Sequence, residues 1–355
     1  MFFEGKNSSH IDWNDILESL NIPAPLPEWS ETLFLTVYVV VIVIAAFGNV
    51  AVLIVLGKNL SERTVTDIFL MSLAVSDLTI ALVNMPFHIY YILTNTWTLG
   101  IHMCRFVNYT QAVTIISSIF TLTTVALDRY ILICHLPKWR FLKRKKRAIV
   151  TVSVIWLLSL VLMIPQAVIM TVLPSIGIVP GSSLPRIIYK CQETFINDTW
   201  MTAYEIYIYT VFYVIPTLIM IVSYAAIGHK LWLRPAVGDI RNSALLARQE
   251  RHKKKVIKMM LAVVIAFILC WFPFFTFQLC ARFLTTKREY YTLAKILFQL
   301  FGYLNTCINP ILYTFLHSHF LDSLTNILCC RIEALPTSFA TGGTSAGNTL
   351  PVSLK

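Results

Sequence analysis

Seven stretches of the chain are apolar almost without interruption, each near the roughly 20 residues that cross a bilayer as a helix. They run Leu33–Leu56, Ile68–Leu93, Phe106–Leu127, Ala148–Leu173, Ile206–Ile227, Met259–Ala281 and Ile296–Leu316. Polar connections separate them. The pattern predicts an all-α membrane protein, with an N-terminal tail over residues 1–32 and a seven-transmembrane helix bundle over 33–316. Beyond it, Phe320, Leu321, Leu324, Ile327 and Leu328 recur at helical spacing. That predicts a short amphipathic eighth helix over 317–330, lying on the membrane surface, and then a disordered tail over 331–355. No internal repeat is visible, which counts against the inverted-repeat transporters. Met1–Ser30 has neither a basic start nor a continuous apolar core, so the first span is expected to double as the targeting signal.

Composition points the same way. Of 355 residues, 57% are hydrophobic and 13% charged, whereas a water-facing surface is roughly 25–35% charged. The formal net charge of +11 could suggest a nucleic-acid partner, so the position of the charges decides. Lys138, Arg140, Lys143, Arg144, Lys145, Lys146 and Arg147 fill one connection. Lys230, Arg234, Arg241, Arg248, Arg251, Lys253, Lys254, Lys255 and Lys258 fill another. The first 31 residues carry one base, Lys6, against six acids. Basic loops of this kind orient membrane helices; they place the N-terminus outside a plasma membrane and the C-terminus in the cytoplasm, and nucleic acid is the weaker reading. On that topology the sequons at Asn7 and Asn197 are glycosylation candidates. Those at Asn59 and Asn108 read as chance matches, as does Gly343-Thr344-Ser345-Ala346-Gly347, which lacks the strand and helix of a nucleophile elbow.

Polar residues within the spans are the functional candidates. Asp77 is the one deep carboxylate, with Ser118, Asn305 and Asn309 on other spans. One carboxylate among neutral oxygens suits a monovalent cation or a buried proton; the alternative is a hydrogen-bonded polar core without an ion. Asp128-Arg129-Tyr130 ends the third span, where the carboxylate can pair the guanidinium and release it on protonation. Cys270-Trp271-Phe272-Pro273 and Asn309-Pro310-Ile311-Leu312-Tyr313 each place a kinking proline in a span. Cys104 opens the third span and Cys191 is the one cysteine of the second outer loop, so a disulfide is the natural pairing in an oxidising compartment. Cys134, Cys270, Cys280 and Cys307 read as packing residues. Cys329 and Cys330 follow the amphipathic stretch and are placed for palmitoylation.

Together these residues resemble the rhodopsin-like G-protein-coupled receptors, over roughly Leu33 to Cys330. The matching marks are Gly48-Asn49-Val50, Leu73-Ala74-Val75-Ser76-Asp77, Trp97, Cys104, Asp128-Arg129-Tyr130, Trp156, Pro216 with Tyr224, Trp271-Phe272-Pro273 and Asn309 to Tyr313. The resemblance implies that Trp271 is a toggle beneath the ligand, that Pro216, Ile119 and Phe267 form a core switch, and that Asp77, Ser118, Asn305 and Asn309 hold an allosteric sodium ion. No other cofactor is implied. It implies a heterotrimeric G protein and arrestin as inner partners, with Arg129, Tyr224 and Tyr313 lining the G-protein opening. Leu136-Pro137 reverses the family's usual order, and Leu321-Asp322 stands where a basic residue is usual.

The ligand class follows in part from absences. The seventh span has no lysine for a retinal Schiff base, and Gln111 stands where aminergic receptors carry an aspartate. Gln111, Gln166, Gln278 and Gln299 resemble the neuropeptide branch of RFamide, neuropeptide FF and orexin receptors, although Arg282 replaces an acid common in RFamide receptors. The expected ligand is an extracellular peptide with an amidated C-terminus. Glutamine offers both an NH₂ and a carbonyl to such an amide; Phe274, Phe275 and Tyr303 would enclose the terminal side chain, and Glu193 or Glu205 would meet a basic residue. The glutamines could instead satisfy one another. A receptor for a non-peptide ligand, or without one of its own, is the alternative. A channel would need a charged path, and an intramembrane enzyme paired aspartates, a zinc motif or a nucleophile and base; none appears.

Overall fold

The computed structural model describes residues 28–57, 64–135, 144–179, 185–233, 243–281 and 288–316, together with Thr325. The expected amphipathic helix with Cys329 and Cys330, the sequon at Asn7, the tail and Arg282 lie outside the described residues. Within them the apolar runs are helices: α1 (Glu28–Gly57), α2 (Val65–Thr94), α3 (Gly100–Tyr130), α4 (Arg144–Leu162, continued by Ile164–Ile169), α5 (Asp198–Tyr209 and Ile215–Leu233), α6 (Ser243–Cys280) and α7 (Arg288–Leu316). The first six are long and apolar enough to cross a membrane. The seventh is more polar, because Gln299, Asn305, Thr306 and Asn309 all lie on it and all are buried.

Local chemistry sets several boundaries. Thr64 caps α2 in a reciprocal box, accepting from the Asp67 amide while its own amide donates to the Asp67 carboxylate at 2.7 Å. At the other end Asn95 adopts a left-handed conformation (φ 47°), the usual way to stop a helix. Every helix begins before its apolar run, and α1, α2, α3 and α5 also continue past its end, since a helix continues into water once its core is laid down.

The fourth run ends differently from expectation. Its helix stops at Ile169, and Met170–Gly177 is a strand, β1, paired antiparallel with β2 (Arg186–Glu193) from Met170↔Glu193 to Gly177↔Arg186. A short apolar segment cannot be assigned to helix or strand by hydropathy alone. Here Met170 and Ile188 are buried against the end of the bundle, at 3% and 1% exposure, so the hairpin is apolar for the same reason as a span.

Two five-residue π turns interrupt the helices, Ile80–Asn84 in α2 and Thr210–Val214 in α5. Each begins six residues before a proline, Pro86 and Pro216. Proline gives no N–H and its ring pushes on the preceding turn's carbonyl; a widened turn just upstream accommodates both demands. Pro273 and Pro310 sit inside α6 and α7.

Side chains clasp one helix to the next. Asn49 donates to the carbonyls of Ala45 and Thr306, joining α1 to α7 at 2.9 Å. Asn84 donates to the Val107 carbonyl at 2.8 Å, joining α2 to α3. The Trp156 indole donates to Ser72 (α4 to α2, 3.1 Å) and the Tyr213 hydroxyl to the Ile268 carbonyl (α5 to α6, 2.9 Å).

Close approach does the rest. A Cβ on Gly48 would meet the Pro310 ring at 2.7 and 2.9 Å, and one on Gly302 would meet the Trp271 indole at 2.8 Å. Proline is rigid, so Gly48→Val overpacks the α1–α7 contact and is expected to destabilise by about 1–3 kcal/mol. The check is thermal unfolding of the purified protein, with Gly228→Ala as control because nothing lies within 4 Å of a Cβ there. Equal melting of Gly48→Val and wild type would mean that α1 and α7 do not meet at this point.

Candidate functional site

The hairpin closes one end of the bundle. Cys104 on α3 and Cys191 on β2 are disulfide-bonded, with Cα atoms 5.7 Å apart, as their positions led us to expect. Asn108 donates to the Cys104 carbonyl and to Cys191 Sγ; it is part-buried in a helix, which fits the reading of its sequon as a chance match. Trp97 packs beside the bridge, and its backbone amide donates to the Tyr189 carbonyl at 2.7 Å.

Beneath the hairpin the candidate ligand residues fall into two polar clusters. In the first, Gln111 Oε1 receives the Tyr303 hydroxyl and lies within reach of His88 Nε2, at 3.0 Å each. The Tyr303 ring stands edge-on to His88 and to Tyr38. Gln299, one turn before Tyr303 on α7, is 3% exposed and its NH₂ has no partner. In the second cluster Gln166 donates to Glu193 Oε1 at 2.8 Å and accepts from the Tyr204 hydroxyl at 3.0 Å. No hydrogen bond joins the two clusters among the described residues. The glutamines therefore do not satisfy one another: Gln111 and Gln166 each bond to other residue types. Glu205 adjoins Tyr204 on α5, and Gln278 lies one turn beyond Phe274 on α6; both are half-buried.

An aromatic floor lies below. Trp271 is 1% exposed, with Phe267, Phe274 and Phe275 against its ring. Phe275 stacks on Tyr213 at 4.9 Å. Ile119, Pro216 and Phe267 are all buried; Ile119 and Phe267 belong to a continuous core that passes from the pocket floor towards the opposite end.

Deeper still, Asn309 donates to Asp77 Oδ2 at 2.8 Å, joining α7 to α2. Ser118 Oγ, Asn305 Oδ1 and Asn309 Oδ1 are sealed from solvent without a hydrogen-bond partner. A buried carboxylate with unpaired neutral oxygens is a donor set that fits a small monovalent cation. At the end opposite the hairpin, Arg129 Nε lies 3.8 Å from Asp128 Oδ2, and Arg129 also bonds Thr66 on α2. Tyr224 and Tyr313 are buried, and neither hydroxyl has a partner.

His88 and Tyr38 escaped the sequence reading, which took Asp77 as the one deep ionisable group. His88 lies in the same apolar run as Asp77, so its charge type was visible. Its convergence with Gln111 and Tyr303, from three separate helices, was not.

Seven helices, a bonded hairpin over one end, a polar pocket beneath it and a buried polar chain leading away define a heptahelical membrane receptor. The chain belongs to the rhodopsin family of seven-transmembrane receptors, whose sequence profile matches residues 48–313. The QRFP-like peptide receptor of Branchiostoma floridae is 32% identical over 93% of this chain and 88% of its own length. The pyroglutamylated RF-amide peptide receptors of Rattus norvegicus and Mus musculus are each 28% identical, over 86% of this chain and 71% of their own.

Proposed function

We propose that this chain is a multi-pass plasma-membrane receptor for a short extracellular peptide with an amidated C-terminus, and that it activates a heterotrimeric G protein and then engages arrestin. The observation that carries the reading is the buried Gln111 amide, whose carbonyl is held by His88 and Tyr303 and whose NH₂ makes no hydrogen bond among the described residues. The relatives' names, which speak of RF-amide peptides, favour a peptide over a non-peptide ligand or none. In this reading the terminal amide meets Gln111, and Phe274 and Phe275 enclose the terminal side chain; Gln299, whose NH₂ is sealed, and Tyr303, wholly buried, back the pocket rather than line it. Glu193, already bonded to Gln166, or Glu205 meets a basic residue.

The hairpin end faces outwards. Support comes from the Cys104–Cys191 bridge at that end, since such bonds persist in oxidising compartments, and from the basic connections at the other. Asn197 then carries glycan, along with Asn7, while Cys329 and Cys330 carry palmitate on the inner leaflet. Asn197 is exposed, and its side-chain oxygen caps α5 by accepting from the Trp200 amide.

Activation tilts α6 about Pro273, moves Trp271 and frees Arg129 from Asp128, opening a gap lined by Arg129, Tyr130, Tyr224 and Tyr313. A sodium ion at Asp77, Ser118, Asn305 and Asn309 stabilises the closed bundle, and Pro310 lets the inner part of α7 turn when it leaves.

Three outcomes test this. A peptide ending in arginine–phenylalanine–amide should outperform its free acid on wild type, because the acid would bury an unpaired charge among neutral amides; Gln111→Ala should weaken the amide peptide by roughly five- to hundredfold, since a lost buried partner costs about 1–3 kcal/mol. Equal potency of the two forms in a G-protein assay would remove the amide pocket. Agonist affinity should fall as sodium replaces a bulky organic cation at constant ionic strength, since an ion shifts an equilibrium only by its differential affinity; Asp77→Asn should abolish the dependence, and equal sensitivity would leave a polar core without an ion. Asp128→Asn, which mimics protonation, should raise basal signalling at matched surface expression, and unchanged basal signalling would exclude the latch.

A further inference from the structure

His88, Gln111 and Tyr303 come from three helices and meet at one atom. Gln111 Oε1 has two lone pairs, and its two neighbours at 3.0 Å, His88 Nε2 and the Tyr303 hydroxyl, occupy both. The donors are themselves held: Tyr303 is wholly buried, its ring edge-on to His88 at 5.5 Å and to Tyr38 at 6.0 Å. The Gln111 NH₂ makes no hydrogen bond among the described residues. Unlike the Gln299 NH₂ it is not sealed, and Gln111 keeps 8% of its surface accessible.

We infer that His88 and Tyr303 are positioning residues that hold the Gln111 carbonyl inward, so that only its NH₂ faces the ligand and the receptor reads the ligand's terminal carbonyl oxygen. The inference rests on the amide-pocket reading above and specifies its direction. Turning the Gln111 amide over would give its NH₂ to His88 and Tyr303 and its carbonyl to the ligand. That arrangement leaves the buried Tyr303 hydroxyl proton without its acceptor, which is destabilising, and it needs His88 Nε2 to be bare. The arrangement in the structure needs a proton on His88 Nε2 and then satisfies both donors.

The two directions predict different chemistry. A peptide ending in a methyl ester keeps the carbonyl and loses the NH₂. If Gln111 reads the carbonyl, the ester is weaker than the amide by the same factor on wild type and on Gln111→Ala. If Gln111 reads the NH₂, the ester's disadvantage disappears in Gln111→Ala. The probes are peptides ending in arginine–phenylalanine–amide and the corresponding ester.

His88→Phe keeps a ring against Tyr303 but removes the donor. It should weaken the amide peptide by roughly tenfold at matched surface expression, and His88→Gln, which restores an N–H donor, should recover most of that loss. A second measurement needs no ligand: nitrogen NMR of purified receptor labelled in histidine, with the His88 signal assigned by its loss in His88→Phe. It should report the Nε2–H tautomer. A bare Nε2, an ester penalty that vanishes in Gln111→Ala, or wild-type potency in His88→Phe would each overturn the positioning role. If wild type fails to distinguish amide from acid, the amide pocket falls separately, and the tautomer still decides how Gln111 is held.

Discussion

In hydrocarbon a polar group must find its partner within the protein, and lipid tails are as apolar as leucine, so burial of leucine cannot by itself hold helices together. That constraint explains where this bundle keeps its polar residues. Asn49, Asn84, Trp156, Tyr213 and Asn309 each bond across to a different helix. Several of these bonds end on backbone carbonyls, which lie where the helix path puts them regardless of neighbouring side chains. The clasps therefore fix rotation and depth of one helix against another. Close approach adds to this where Gly48 meets Pro310 and Gly302 meets Trp271.

The same constraint is not fully met in the interior. Ser118, Asn305, Asn309, Trp271, Tyr224 and Tyr313 each bury a polar atom that has no partner in this arrangement. They form a descending series from pocket floor to the far end, alongside Pro273 and Pro310. Groups left short of hydrogen bonds gain from an ion, from water or from a different helix position. The π turns before Pro86 and Pro216 are a static counterpart: they absorb proline's demands locally and leave the rest of each helix regular.

The pocket divides the work between its clusters. Gln111 is held by His88 and Tyr303, all close to the aromatic floor over Trp271. Gln166, Glu193 and Tyr204 lie nearer the hairpin, and the disulfide ties Cys191, two residues before Glu193, to α3. The two clusters together draw on α2, α3, α4, α5 and α7, and a peptide bound as proposed would touch them all. Its effect on Trp271 can pass through Phe274 and Phe275, whose rings contact the indole directly.

Much of this was legible in the chain itself, for a physical reason: a spanning helix is recognised by what lipid demands of every residue in it, which is a one-dimensional property. The seven apolar runs, the lone buried carboxylate Asp77, the prolines of α6 and α7 and the pairing of Cys104 with Cys191 all follow from position and residue type. Met170–Leu173 was misread as helix because a strand buried against the bundle is as apolar as a span. The part played by His88 could not be read at all. Its Nε2 matters because Gln111, 23 positions on, and Tyr303, 192 positions beyond that, face the same point, and such a meeting depends on the rotation of three helices about their axes. That rotation is set by clasps such as Asn84 to the Val107 carbonyl and Asn49 to the Thr306 carbonyl. Only the packed tertiary structure decides which side chains share an atom.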